Sequence, residues 1–154
     1  MNKNQVTVYT DGSSRGNPGR GGYGAVLIWG NIKKELSQGY RLTTNNRMEL
    51  MAVIAGLEAL KKTKQHITIY SDSQYVVKAV MEGWLKNWIA TDFKGGKKNR
   101  DLWTRFYKLM QKHQLRFVWV KGHADNPFNN RCDQLATAAA DGGNLLDDVG
   151  FENA

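Results

Sequence analysis

The chain is predicted to fold as an α/β protein, a mixed five-stranded sheet with helices packed on it. Two observations carry this. Five stretches alternate in the two-residue period of a strand, and four others place apolar residues at helical spacing. Their order is β-β-β-α-β-α-α-β-α, so three strands precede any helix and later strands alternate with helices. Strands joined by short turns pair antiparallel, whereas strands separated by helices pair parallel through right-handed crossovers.

Residues Val6 to Asp11 place Val6, Val8 and Thr10 on one face and Thr7, Tyr9 and Asp11 on the other. SSRGNPGRGG then reads as a turn. Tyr23 to Trp29 and Lys33 to Leu42 read as two further strands joined near Gly30 and Asn31. Leu50, Val53, Ile54, Leu57 and Leu60 then mark a helix from about Asn46 to Lys62, with Asn46 and Glu49 spaced as a capping box. Ile67 to Asp72 is the fourth strand. Ser73 can cap a second helix carrying Val77, Val80, Met81, Trp84 and Trp88 on one face. Gly95 and Gly96 break the pattern. A third helix carries Leu102, Phe106, Leu109, Met110 and His113, and Phe117 to Lys121 is the fifth strand. A last helix runs from about Asn130 to Asp141 and stops at Gly142 and Gly143. Residues 1–142 are thus expected to form one domain, and GNLLDDVGFENA, at 143–154, a weakly ordered tail.

Composition narrows the function classes. No apolar run approaches the ~18 residues of a membrane span. The start, MNKNQVTVYT, has no apolar signal core or cleavage site, so cytoplasmic residence is expected. The single Cys132 excludes an internal disulfide and a thiolate metal cage. Lys plus Arg number 22 against 14 acids, a net charge of +8. That excess serves solubility and also favours polyanionic partners through counterion release. Its distribution favours the second. From Gly83 to Lys112, eight basic residues face two acids, leaving +6 of the +8 in this one segment.

Several acids are oddly placed for so basic a chain. Residues 6–11 read VTVYTD and residues 67–72 read ITIYSD, each a β-branched strand with a Tyr, a hydroxyl residue and a terminal Asp. Parallel neighbours would lie ~4.8 Å apart. Two carboxylates ~4 Å apart repel by about 4 kcal/mol at an effective dielectric near 20, so Asp11 and Asp72 would need a cation or a proton between them. Two unrelated Asx-turns are the competing explanation. Glu49 opens the helix stripe Glu49, Val53, Leu57, Leu60 that faces the sheet, with the capping box as its competitor. Asp133 lies beside the stripe Cys132, Leu135, Ala136, Ala139, where an acid early in a helix is also simply favourable. Four acids with no Cys or His pair suit a hard ion, Mg²⁺ or Mn²⁺. Two such ions, if the four acids converge, can hold the attacking and leaving oxygens of a phosphodiester.

Taken in order, TDGSSRGNPGRGGYG, TTNNRMEL, YSDSQYV and WVKGHADNP followed by NNRCDQLA closely resemble bacterial type 1 ribonuclease H, over roughly residues 5 to 141. The resemblance implies strand order 3-2-1-4-5, with the first three strands antiparallel and helices on both faces. It implies that Asp11, Glu49, Asp72 and Asp133 are the metal-binding catalytic acids, using Mg²⁺, two ions per site with substrate, or Mn²⁺. His123 would assist proton transfer or product release. Ser14, Asn17, Asn45, Asn46 and Gln74 match contacts to an RNA strand, with Glu49 reaching a 2′-hydroxyl. Thr44 and Asn99 match a pocket for a DNA-strand phosphate. Trp84, Lys86, Asn87 and Trp88 match a basic handle on the DNA strand, although the i, i+4 spacing of the two tryptophans places at least one in the core. The implied activity is that of a monomer, away from membranes, hydrolysing the RNA strand of RNA–DNA hybrids to 5′-phosphate and 3′-hydroxyl ends. A DNA-acting polynucleotidyl transferase or resolvase would share the sheet and acids; a non-catalytic nucleic-acid-binding module would keep only the basic patch.

The chain departs from the family pattern in three places. The segment between Trp88 and Asn99 is short and only modestly basic, with no Lys from Ile89 to Phe93 and an acid at Asp92. Leu42 stands where relatives often carry Arg, and Phe128 and Asn130 where acids are common. The first departure predicts weaker, more readily salt-disrupted hybrid binding than in a long-handled relative. A side-by-side salt titration checks this, and equal or tighter binding would contradict it.

Overall fold

In the computed structural model, residues 5–62, 64–95, 98–121 and 126–152 are described. The sheet contains β1 (Gln5–Ser14), β2 (Gly19–Trp29), β3 (Ile32–Thr43), β4 (His66–Ser71), β5 (Gln114–Trp119) and a short β6 (Leu145–Leu146). Its order is β5-β4-β1-β2-β3-β6. The five expected strands thus take the 3-2-1-4-5 order, and the sixth extends the β3 edge. β1, β2 and β3 are antiparallel, and β4 and β5 add in parallel. The helices are α1 (Asn45–Glu58), α2 (Gln74–Met81), α3 (Trp84–Ala90), α4 (Arg100–Met110), α5 (Pro127–Asp141) and α6 (Val149–Glu152).

The core lies between one sheet face and α1. Val6, Val8, Leu27, Ile67 and Ile69 from the strands meet Leu50, Val53, Ile54 and Leu57. α1 also touches α4, whose Trp103 and Phe106 are fully buried. It is therefore buried nearly all round, Met48, Met51 and Ala52 included, where a single stripe was expected. The opposite face carries α5, with Cys132, Ala136 and Ala140 buried. A Cβ on Gly22, Gly24 or Gly39 would strike the α5 backbone, so these glycines let the helix lie directly on the strands. This also explains why the glycine-rich stretch is not all turn: β1 and β2 stay paired to Ser14↔Gly21.

Other differences from the expected elements have local causes. The second helix breaks into α2 and α3 because Gly83 takes φ 78°. α1 starts at Asn45, with Thr44 as its cap accepting from the Arg47 N–H, so the Asn46–Glu49 box does not form. α5 starts at Pro127, capped by Asn126, three residues before the expected Asn130. β5 starts at Gln114, and His113 leaves the helix to accept from the Gln65 N–H through Nδ1.

The largest departure is the expected weakly ordered tail. Through residue 152 it folds back as β6 and α6 on β3 and is tied to α1. Arg47, only 2% exposed, donates to Asp148 through Nε (2.7 Å) and Nη2 (2.8 Å). It also donates to Asp101 (2.9 and 2.7 Å) and to Asn99 Oδ1 (3.2 Å). Burial opposes the guanidinium charge, but the bonds and charges of Asp101 and Asp148 outweigh it and hold the pKa above its ordinary value. Thr43 Oγ1 donates to the same Asp148 carboxylate (2.7 Å). Asp148→Ala should therefore cost about 3 kcal/mol, since it leaves a buried cation partly uncompensated. Removing the exposed Arg15–Asp141 pair with Arg15→Ala should leave stability nearly unchanged, because solvent screens it. Urea denaturation of both variants checks the contrast; equal losses would contradict it.

Candidate active site

The two similar hexapeptides pair with each other. In the parallel β1–β4 ladder Val6 faces Ile67, Thr7 faces Thr68, Val8 faces Ile69 and Tyr9 faces Tyr70. The tyrosine rings stack at 4.7 Å, and Thr10 Oγ1 donates to the Tyr70 carbonyl (3.0 Å). Continuing this register puts Asp11 beside Asp72. The acids therefore share one sheet end, at the carboxyl end of two parallel strands, where α/β proteins bind ligands.

α1 delivers the third acid. Gly12 lies directly under the start of the helix, and a Cβ there would overlap the backbone of Met48 and Glu49. The Gly12 N–H donates both to Asp11 Oδ1 (2.9 Å) and to Glu49 Oε1. Glu49 is thus held to the sheet and not to its own helix end. One carboxylate oxygen from each of Asp11, Glu49 and Asp72 lies within 4.8 Å of the others. Asp133 lines the same cleft, of about 390 Å³, together with Ser14, Asn45, Asn46, Ser73 and Tyr75. It sits in the second turn of α5, so the favourable-first-turn explanation does not apply to it.

The electrostatics of this cluster are unfavourable as it stands. Burial and then the Asp72 charge push the Asp11 pKa up from 3.8 to about 7, with Asp133 adding to the rise and the Glu49 and Gly12 hydrogen bonds opposing it. Burial, followed by the charges of Asp11 and Asp72, pushes Glu49 well above the usual carboxylate range. Asp72 Oδ1 is buried with no hydrogen-bond partner among the described residues, although such an atom normally has one. An all-oxygen donor set, crowded anions and an orphaned carboxylate oxygen fit a divalent hard cation, which would satisfy all three conditions.

The remaining expected residues fall into two groups. Asn17, Thr44, Asn46 and Asn99 line a groove of about 820 Å³ with Lys98, Arg100 and Phe151, and Asn46 joins this groove to the acid cleft. Asn17 Oδ1 accepts from the Asn45 N–H (3.2 Å), and Asn99 donates to the Tyr75 hydroxyl (3.0 Å). Gln74, exposed, opens α2 next to Ser73. Trp84, Lys86 and Asn87 are exposed on α3, whereas Trp88 packs against Trp103 and Phe93. Of the two tryptophans, Trp88 is therefore the core residue. Arg41, next to Leu42, pairs with Asp147 (2.7 Å). His123 lies outside the described residues. The sequence reading missed Gly12, whose N–H serves two acids and whose only signal was the Asp-Gly pair. It also missed Tyr75, which links Asn99 to Trp103.

An RNase H family model matches residues 3–141. A ribonuclease H of Desulforamulus reducens is 54% identical over 152 residues, covering 96% of this chain and 95% of that protein. Among solved structures, LC9-RNase H1, described as a type 1 RNase H with the type 2 active-site motif, superposes with a TM-score of 0.82. It is 28% identical, over 99% of this chain and 81% of its own. LC11-RNase H1, solved in complex with an RNA/DNA hybrid, has a TM-score of 0.70 and 26% identity over 88% of this chain and 96% of its own. The family match spans every acid of the cleft and the relative extends it over nearly the whole length: the chain belongs to the ribonuclease H family.

Proposed function

We propose that the chain hydrolyses the RNA strand of RNA–DNA hybrids at the carboxylate cleft, leaving 5′-phosphate and 3′-hydroxyl ends. The observation that carries this is the convergence of Asp11, Glu49 and Asp72 within 4.8 Å, with Asp133 on the same cleft. These four acids would hold Mg²⁺ or Mn²⁺, two ions when substrate is present. Bound there, the ions supply the positive charge that favours deprotonation of the attacking water and stabilises the leaving 3′-oxygen.

The chain's own groups do the rest. Gly12 N–H orients Asp11 and Glu49 so that both carboxylates point into the cleft. Ser14, Asn45 and Asn46 on its wall, with Gln74 nearby, offer donors and acceptors to an RNA backbone and to 2′-hydroxyls, and Glu49 is within the same space. Thr44 and Asn99 in the adjoining groove, beside Lys98 and Arg100, suit a phosphate of the DNA strand, and Asn17, which accepts from the Asn45 N–H, belongs with the RNA-side contacts. Trp84, Lys86 and Asn87 extend the DNA contact along α3. His123 is proposed to move a proton or help release product. All four acids come from one chain, so the reading needs no second copy. Among the described residues no helix is long and apolar enough to cross a membrane.

Two outcomes are expected. A labelled hybrid should be cut only with a divalent ion, and Asp11→Asn should lower kcat at least about 100-fold, as removal of a preorganised charge-stabilising group does. Cleavage that persists in chelator or in the variant, or comparable cutting of duplex DNA, would overturn the proposal. The second concerns pH. With Asp11 raised from 3.8 to about 7, the folded state binds a proton that the unfolded state has already lost. In chelator, this contribution to stability is fully present below about pH 4 and is lost as pH rises through about 7. Because the ion must displace that proton, Mg²⁺ should raise Tm more at pH 8 than at pH 6. Asp11→Asn should flatten both dependences in a thermal scan; an unchanged profile would count against the buried-acid account.

A further inference from the structure

β4 ends at Ser71, so Asp72 lies one residue beyond the regular ladder. Asp11, in contrast, sits inside β1 and is paired with Gly24 of β2. The direction of Asp72 therefore has to be set by the last bond of the β4–β5 ladder and by a contact just beyond it. Two bonds from consecutive residues at the end of β5 supply it. The Val120 N–H donates to the Ser71 carbonyl (2.9 Å), and the Trp119 indole Nε1–H donates to the Asp72 carbonyl (3.2 Å). The first carbonyl belongs to the peptide unit before Asp72 and the second to the unit after it. Both peptide planes flanking this acid are thus pinned to β5, which fixes φ and ψ at Asp72 and so the exit of its side chain. On the next residue, the Ser73 N–H donates to Ser71 Oγ (3.1 Å), closing a compact turn.

Of the two donors from the end of β5, Val120 uses its main chain and Trp119 its side chain. Trp119 is 43% exposed, so it is not placed by core packing, and its indole could be hydrated instead. The acid that it holds is also the one with an orphaned buried oxygen, Asp72 Oδ1. We propose that Trp119 is a positioning residue for the acid cluster: its indole N–H locks the main chain at Asp72 so that this carboxylate meets the cation shared with Asp11 and Glu49. The inference rests on the reading of the cluster as a divalent-cation site. Partners that orient a metal ligand, without touching the metal, change metal affinity when they are removed.

Trp119→Phe keeps an aromatic ring and removes the donor. Calorimetric titration with Mn²⁺ alone, without nucleic acid, should show affinity about tenfold weaker than in the unmodified protein. Tm in chelator should stay within about 3 °C, because the ring is largely at the surface. In hybrid cleavage the Mg²⁺ concentration for half-maximal rate should rise by a similar factor, with KM for the hybrid within about twofold. Mn²⁺ affinity within about twofold of the unmodified protein would overturn the proposal. So would a rise in KM with an unchanged metal requirement, which would make Trp119 a substrate contact. If the unmodified protein binds no Mn²⁺, the cation-site reading itself fails; if it binds and Trp119→Phe binds equally, only the role of Trp119 fails.

Discussion

The parallel pairing of β1 with β4 is the contact on which the rest depends. It sets two similar hexapeptides side by side in register, so Val6 to Tyr9 of one meet their counterparts Ile67 to Tyr70 in the other. The β-branched residues meet across the sheet and supply the core face, and Tyr9 and Tyr70 stack. Continued past Tyr9 and Tyr70, the same register makes two carboxylates neighbours, Asp11 within β1 and Asp72 just past β4, and this is unfavourable in a buried setting. A single Gly12 N–H shared by Asp11 and Glu49 offsets only part of the repulsion. Burial, and then the Asp72 charge, still leave the Asp11 pKa raised. The fold thus holds a site that is incomplete without a cation, a common arrangement where structure stores unfavourable charge for chemistry.

The packing around this pair preserves its geometry. α1 lies between the sheet and α4, and its first turn passes directly over Gly12. Its start is held by Thr44 as cap and by the Arg47 guanidinium, whose donors go to Asp148, Asp101 and Asn99. One buried cation therefore links the helix that carries Glu49, the helix that follows Asn99 and the C-terminal segment. The position of an acid in the cleft and the shape of the neighbouring groove are in this way mechanically connected, because Thr44, Asn99 and Arg47 all line that groove.

Much of this was legible because it depends on periodicity. Alternation gave the five long strands, and the repeated ending gave Asp11 and Asp72 before any relative was considered. Glu49 was ambiguous, because an acid three residues after Asn46 reads equally as a cap. Only the approach of α1 to Gly12 decides between the two. Asp133 was placed too early in its helix because Pro127 opens α5 a turn sooner than the apolar stripe suggests. The tail was misjudged for a similar reason. Its polar residues look like disorder, whereas Asp148 is an ion-pair partner for Arg47, 101 positions earlier in the chain. Such long-range pairing, like the Trp119–Asp72 bond, leaves no periodic trace. The i, i+4 spacing of Trp84 and Trp88 does not say which is buried; the packing of Trp88 on Trp103 and Phe93 does.

Everything above turns on Asp11, Glu49 and Asp72 forming a cation site. Anomalous diffraction from crystals soaked in Mn²⁺ tests it most directly. A cation site there gives a peak among these three carboxylates, lost in Asp11→Asn. No peak there at saturating Mn²⁺, or one persisting unchanged in the variant, would contradict it.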